Sequence, residues 1–194
     1  PDDVFTSVAR STFSISFFEL LVPLCAGASV RLMERENVLA PDRFAQVLEG
    51  VTVLHCGPSL LGSLFRYLRS ASSSGRTFPR MRHASSGGDV VPPHIQEELK
   101  TVFPAAELYV IYGCTEVSVM GCTYPIRREA KATRSFVGKP FPDTAVRVMD
   151  ARGALVPIGV VGEICFAGKG VTRGYYQREA LTAQKYVERE GRRF

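Results

Sequence analysis

No apolar run in the sequence reaches the ~20 residues that a membrane helix needs. The best of them, Ile15 to Ala28, carries Glu19 and Pro23 inside it. The opening residues, PDDVF, lack the basic-then-apolar order of a secretory signal. From these two absences we expect a cytoplasmic protein with no membrane partner. Cys-x-x-Cys pairs are missing as well. Cys25, Cys56, Cys114, Cys122 and Cys165 are odd in number and scattered, which argues against a zinc ribbon or a disulfide framework and predicts buried free thiols. A Walker phosphate loop does not occur, and Gly168-Lys169-Gly170 does not stand in for one. Gly57-Pro58-Ser59-Leu60-Leu61 lacks the closing glycine of a nucleophile elbow, which disfavours a serine hydrolase. The net charge of +5 is spread along the chain except in the last fifth (Arg173, Arg178, Lys185, Arg189, Arg192, Arg193). Basic and aromatic residues interleave on no single element, so nucleic acid is not an expected partner.

What is present fits an ordinary globular protein: 194 residues, 45% hydrophobic and 22% charged, enough for one large domain or two small ones. Val4 to Ala9 reads as a strand. Ile15, Phe18, Leu21 and Val22 then recur at helical spacing until Pro23, which should end or kink the helix, and Ala28 to Met33 reads as a second strand. The alternation continues with a helix from Pro41 (Phe44, Val47, Leu48), a strand from Val51 to His55, and a helix from Pro58 (Leu60, Leu61, Leu64, Phe65, Leu68). Ser70 to Phe78 is too polar to pack and reads as a surface loop. A strand from Met81 to Ser85, a Gly87-Gly88-Asp89 break and a helix with Ile95, Leu99, Val102 and Phe103 inward follow. Strands separated by helices predict an α/β fold, a mostly parallel sheet covered by helices. From about Arg134 helical patterns thin out, so residues 1–134 read as the α/β part. Residues 135–194 read as a small β-rich, barrel-like subdomain with strands at Ala145 to Met149 and Val161 to Ala167 and a short helix from Glu179 to Val187.

The stretch around which the rest is arranged is Glu107 to Tyr124, ELYVIYGCTEVSVMGCTY. Glu107 to Tyr112 reads as a buried strand, and the crevice beyond strand tips is where α/β sheets bind ligands. That tip carries a ring, a hydroxyl and a carboxylate: Tyr112, Thr115 and Glu116. The segment resembles the Tyr-Gly-Pro-Thr-Glu motif of nonribosomal peptide synthetase adenylation domains, members of the acyl-adenylate-forming family, with Cys114 in place of the usual Pro. GEICFAGKGVTRGYYQREALTAQKYV resembles a second family motif, in which Gly162, Glu163, Gly168, Gly170, Arg173, Gly174 and Tyr175 agree. Its glycines suggest positive φ in a tight crossing of two strands, with Arg173 pinned by a nearby carboxylate or carbonyls. SFFELLVPLCAGASV is similar to a third, through Phe13, Ser16, Glu19, Pro23, Leu24, Gly27 and Ala28.

The resemblance implies a catalytic and nucleotide-binding set. Thr115 would hold a phosphate oxygen, Glu116 would ligate Mg2+, Tyr112 would stack on adenine, and Gly87 and Gly88 would let backbone approach the base. Asp89 belongs to the same turn, although capping the following helix is the better reading for its side chain. The pocket positions carried over are Ser14, Ile15, Phe18, His55, Ser85, Gly87, Ile111, Val119 and Met120. Amino-acid-activating members hold the substrate's α-ammonium with an aspartate where this chain has Ser14. A buried ammonium without an ionic partner is costly, so the implied substrate is a carboxylic acid lacking it: aryl, hydroxy, keto or fatty. The implied co-substrate is ATP with Mg2+, and the implied partners are the rest of the adenylation domain and a carrier protein whose phosphopantetheine thiol accepts the acyl group. The family's phosphate loop, ribose-binding aspartate and catalytic lysine have no counterpart in these residues, so the chain reads as a central fragment with little activity of its own. An acyl- or aryl-CoA ligase or fatty acyl-AMP ligase fragment, and a degenerate adenylation remnant used as scaffold, are the alternatives.

Overall fold

Apolar strand segments separated by amphipathic helices give, in the computed structural model, a twisted sheet; residues 2–70, 73–189 and 191–194 are described. In chain order the elements are β1 (Val4–Ser7), α1 (Ile15–Cys25), β2 (Ser29–Leu32), α2 (Arg35–Leu39), α3 (Pro41–Leu48) and β3 (Val53–Cys56). They continue with α4 (Pro58–Leu68), β4 (His83–Gly87), α5 (Pro93–Val102), β5 (Glu107–Tyr112), β6 (Cys122–Pro125) and β7 (Lys139–Pro140). The seven strands lie in the order β2-β1-β3-β4-β5-β6-β7. Neighbours from β2 to β5 pair in parallel, whereas β6 and β7 add antiparallel strands at one edge. The remainder is the antiparallel pair β8 (Thr144–Met149) and β9 (Glu163–Gly168), a short α6 (Glu179–Lys185), and a hairpin of β10 (Glu188–Arg189) and β11 (Arg192–Arg193). The expected α/β architecture with a small β-rich part is what forms.

One face of the sheet is sealed by α3, α4 and α5. Phe44, Leu48, Leu61, Leu64, Phe65, Ile95, Leu99 and Phe103 close over Leu54, Cys56, Ala84, Leu108 and Val110. Alternation along the strands sends His55 and Ser85 to the opposite face, where the α1 ring Phe18 stands edge-on to Phe5 and to His55.

Helix α1 departs from its reading in two ways. It runs through Pro23 to Cys25, because the ring removes a single donor near the end of an already established helix. Its buried stripe is also Ser16, Glu19 and Pro23, while Phe17, Leu21 and Leu24 are 60%, 52% and 62% exposed. Periodicity found the helix but not the face it buries.

Other differences are smaller. The short helix α2, the antiparallel strands β6 and β7 and the terminal hairpin were not legible. Strands β3 and β4 end later than expected, and the glycine of β4 explains why. Gly87 stays in the ladder opposite Ile111, and a Cβ there would lie 2.2 Å from the Ile111 carbonyl oxygen. The polar loop ends in the buried ring of Phe78, and its Ala71 and Ser72 lie outside the described residues. All five thiols are free, but Cys25 and Cys114 are exposed rather than buried. Gly168 and Gly174 of the glycine-rich segment take positive φ, as its pattern suggested. The side chain of Arg173 is exposed and makes no hydrogen bond or ion pair among the described residues, so the expected pin is absent. The side chains of Arg189 and Arg192 lie outside the described residues.

Candidate functional site

Strand β5 delivers the chain to a tight structure at the sheet's carboxyl edge. After Gly113, Thr115–Val117 form one 3-10 turn, and Ser118 and Val119 follow with φ of 53° and 84°. A β-branched residue at positive φ costs about 1–3 kcal/mol and needs the surroundings to hold it there. The bend returns the backbone so that the Gly121 amide donates to the Tyr112 carbonyl, and Val119 enters a cavity wall.

That cavity, of about 630 Å3, lies where the tips of β1, β3, β4 and β5 meet the start of α1. Ser14, Ile15, His55, Gly87, Ile111 and Val119 of the expected acid pocket line it, as do Gly88, Asp89 and Thr115 of the expected nucleotide side. The two sets touch directly: Ser14 Oγ lies 3.3 Å from Thr115 Oγ1. Phe18 and Ser85 stand behind the wall, each against His55. Met120 is half-buried and is not in the lining. Asp89 does not cap α5, whose first residue is Pro93; its Oδ1 instead accepts the Val90 amide at 2.7 Å.

Three charged lining residues were given no site role from the sequence. Glu19 is 2% exposed, and its Oε2 accepts the amides of Val8 (2.8 Å) and Ala9 (2.9 Å). Burial pushes its pKa up to about 7 against the pull of those amides. Arg10 and Arg35, both exposed, line the cavity and form no ion pair among the described residues. Burial also pushes the Cys56 thiol up, with the nearby Glu19 adding to the effect.

Tyr112 and Glu116 are not in the lining of this cavity. Tyr112 stacks on Phe166 of β9 at 6.1 Å and 28° and is 36% exposed. Glu116 accepts a hydrogen bond at Oε1 from the Tyr175 hydroxyl, which holds its carboxyl below the usual carboxylate range. Glu116 and Tyr175 line a second cavity, of about 460 Å3, between the 3-10 turn and β9. Cys114 belongs to both walls. Tyr175 agrees with the motif of the glycine-rich segment, but its spacing assigns it no role in the site.

Comparison with known proteins shows the family. A family profile described as AMP-binding enzyme matches residues 1–176. The chain belongs to the AMP-binding enzyme family. This AMP-binding chain is 34% identical over 190 residues to bacitracin synthase 3 of Bacillus licheniformis, covering 96% of the chain and 3% of that protein. To surfactin synthase subunit 2 of Bacillus subtilis (strain 168) it is 31% identical over 189 residues, covering 96% of the chain and 5% of that protein. Its fold superposes with a TM-score of 0.90 on the AMPPNP-bound form of the nonribosomal peptide synthetase FmoA3, at 25% identity over 100% of this chain and 21% of that one. The AMP-binding chain therefore spans a small part of the relatives it matches. Its family and fold are those of nonribosomal peptide synthetase adenylation domains.

Proposed function

We propose that this chain supplies the acid pocket and part of the nucleotide side of an adenylation domain. The whole domain activates a carboxylic acid lacking an α-ammonium with ATP and passes the acyl group to a carrier-protein phosphopantetheine thiol. The observation that carries this reading is the 3.3 Å contact between Ser14 and Thr115 on the wall of one cavity. It supports a reading in which an acid's carboxylate lies beside the hydroxyl that would hold a phosphate oxygen. In the reaction a carboxylate oxygen bonds to the α-phosphorus of ATP as the bond to the bridging oxygen breaks, and pyrophosphate leaves.

The charges along the wall favour an acid without an ammonium group. Ser14 offers no charge, Glu19 has one oxygen committed to two backbone amides, and Asp89 is turned to Val90. Arg10 and Arg35 at the cavity attract anions and repel an ammonium.

No group of three His, Cys, Asp or Glu that could hold a metal occurs among the described residues. Mg2+ commonly needs only one or two protein carboxylates when phosphates and water supply the rest, so a single ionised Glu116 fits it. When bound, Mg2+ would neutralise charge on the phosphates. Tyr175 orients the carboxylate, and Tyr112 and Gly88 remain the adenine-side candidates.

ATP–pyrophosphate exchange by the full-length protein, run against matched α-amino acids and their deamino analogues, tests the reading. Faster exchange with the deamino acids is expected. A clear preference for an ordinary α-amino acid would overturn it.

A further inference from the structure

His55 stands in the cavity wall as a ring fixed on three sides. Ser85 Oγ lies 2.9 Å from Nδ1, and the Phe18 ring packs edge-on with centroids 6.3 Å apart at 81°. A Cβ on residue 87 would come within 3.3 Å of Cε1, so the glycine there leaves the imidazole its place. Ser85 Oγ is also 3.4 Å from the Leu54 carbonyl oxygen. One arrangement engages all of these partners: Nδ1–H donates to Ser85 Oγ, and the Ser85 O–H donates to Leu54. In that tautomer Nε2 carries a lone pair and no proton.

Nε2 makes no hydrogen bond among the described residues. Nor is it one of the sealed polar atoms without a partner, which are Thr6 Oγ1 and Ser86 Oγ. It therefore opens on the cavity that His55 lines. The ring is neutral near pH 7, because burial lowers its pKa to about 4. A neutral acceptor beside Ile15, Ile111 and Val119 loses its hydrogen bond to water when an apolar ligand fills the space, and keeps one when the ligand brings a donor.

We infer that His55, held by Ser85 as a positioning residue, selects an acid that carries a hydroxyl group and accepts that hydroxyl's proton in a hydrogen bond at Nε2. This rests on the acid-activating reading above and narrows its substrate to hydroxy acids. A hydroxyl suits a single neutral acceptor, whereas a neutral imidazole gives an ammonium no charge to balance its own.

The test uses ATP–pyrophosphate exchange by the full-length protein with matched acids, such as 2-hydroxy-4-methylpentanoate against 4-methylpentanoate and salicylate against benzoate. The hydroxy member of at least one pair is expected to be favoured about tenfold or more in kcat/KM. His55→Leu should bring that ratio close to one, and His55→Gln, which keeps an acceptor oxygen, should restore part of it. Ratios near one throughout in the unaltered protein, or a preference untouched by His55→Leu, overturn the inference while leaving acid activation standing. Exchange with α-amino acids alone, or with no acid, removes both readings. If His55→Leu does not fold, 15N shifts of labelled histidine decide: Nδ1 protonated and Nε2 bare is expected, and the reverse tautomer refutes the selection.

Discussion

The Tyr175 hydroxyl donates to Oε1 of Glu116 across 59 residues of sequence. It ties the glycine-rich segment after β9 to the acidic end of the turn after β5. Tyr175→Phe removes the largest cause of the low Glu116 pKa. A group whose folded pKa is depressed adds stability above its ordinary value and loses it as pH falls through the folded one. The variant should therefore lose less stability on acidification, and a 13C titration of the Glu116 carboxyl should move up toward 4.5.

Glu19 and His55 oppose one another in pH. Folding raises Glu19 from 4.5 to about 7, so its contribution is full below pH 4.5 and is lost as pH rises through 7. Folding lowers His55 from 6.5 to about 4, so its contribution is present above pH 6.5 and is lost as pH falls toward 4. In the window the two share they partly cancel. Glu19→Gln keeps an oxygen for the Val8 and Ala9 amides and removes one arm. Thermal melts of that variant should show higher stability at pH 8 than the unaltered protein and a steeper fall between pH 6.5 and 4.

Ser14→Asp places a carboxylate in the wall of the proposed acid pocket, beside Thr115. In the full-length protein it should shift exchange toward α-amino acids by about tenfold to a hundredfold relative to their deamino analogues, the range of a hydrogen bond to a charged group. No shift would mean that the ammonium of a bound amino acid does not reach this position.

Gly87→Ala sets a methyl 2.2 Å from a backbone oxygen that cannot swing away. We expect a loss of roughly 2–4 kcal/mol in urea unfolding, as for other overpacked interior positions. Gly88→Ala meets no atom within 4 Å but suffers its positive φ of 79°, so a smaller loss, about 1 kcal/mol, is expected.

Where one residue pattern had one physical cause, the sequence was legible. Glu107–Tyr112 is a strand with the expected bounds, since a β-branched and aromatic run flanked by Gly113 has few other uses. Helices α4 and α5 bury the expected stripes for the same reason. In α1 the pattern misled, because Phe17, Leu21, Val22 and Leu24 are exposed while two of its three buried residues, Ser16 and Glu19, are polar. Strand β6 is four residues ending in proline, too short to show a period. Ser14, Ile15, His55, Gly87, Ile111 and Val119 met in one cavity because the parallel topology aligns strand tips. Glu19 and Tyr175 were named only as agreeing positions of two motifs, because their roles rest on partners 10 to 59 residues away, which spacing cannot report.

Cys114 contributes to the walls of two separate hollows, with Thr115 on one side and Glu116 on the other. A molecule filling either hollow meets Cys114 together with Thr115 or Glu116. By thermodynamic linkage, whatever a ligand in one hollow does to the affinity of the other hollow for its own ligand, the second must return in equal measure. Order of addition then cannot alter the final affinity of the pair, and a substitution at residue 114 should be felt in both constants together.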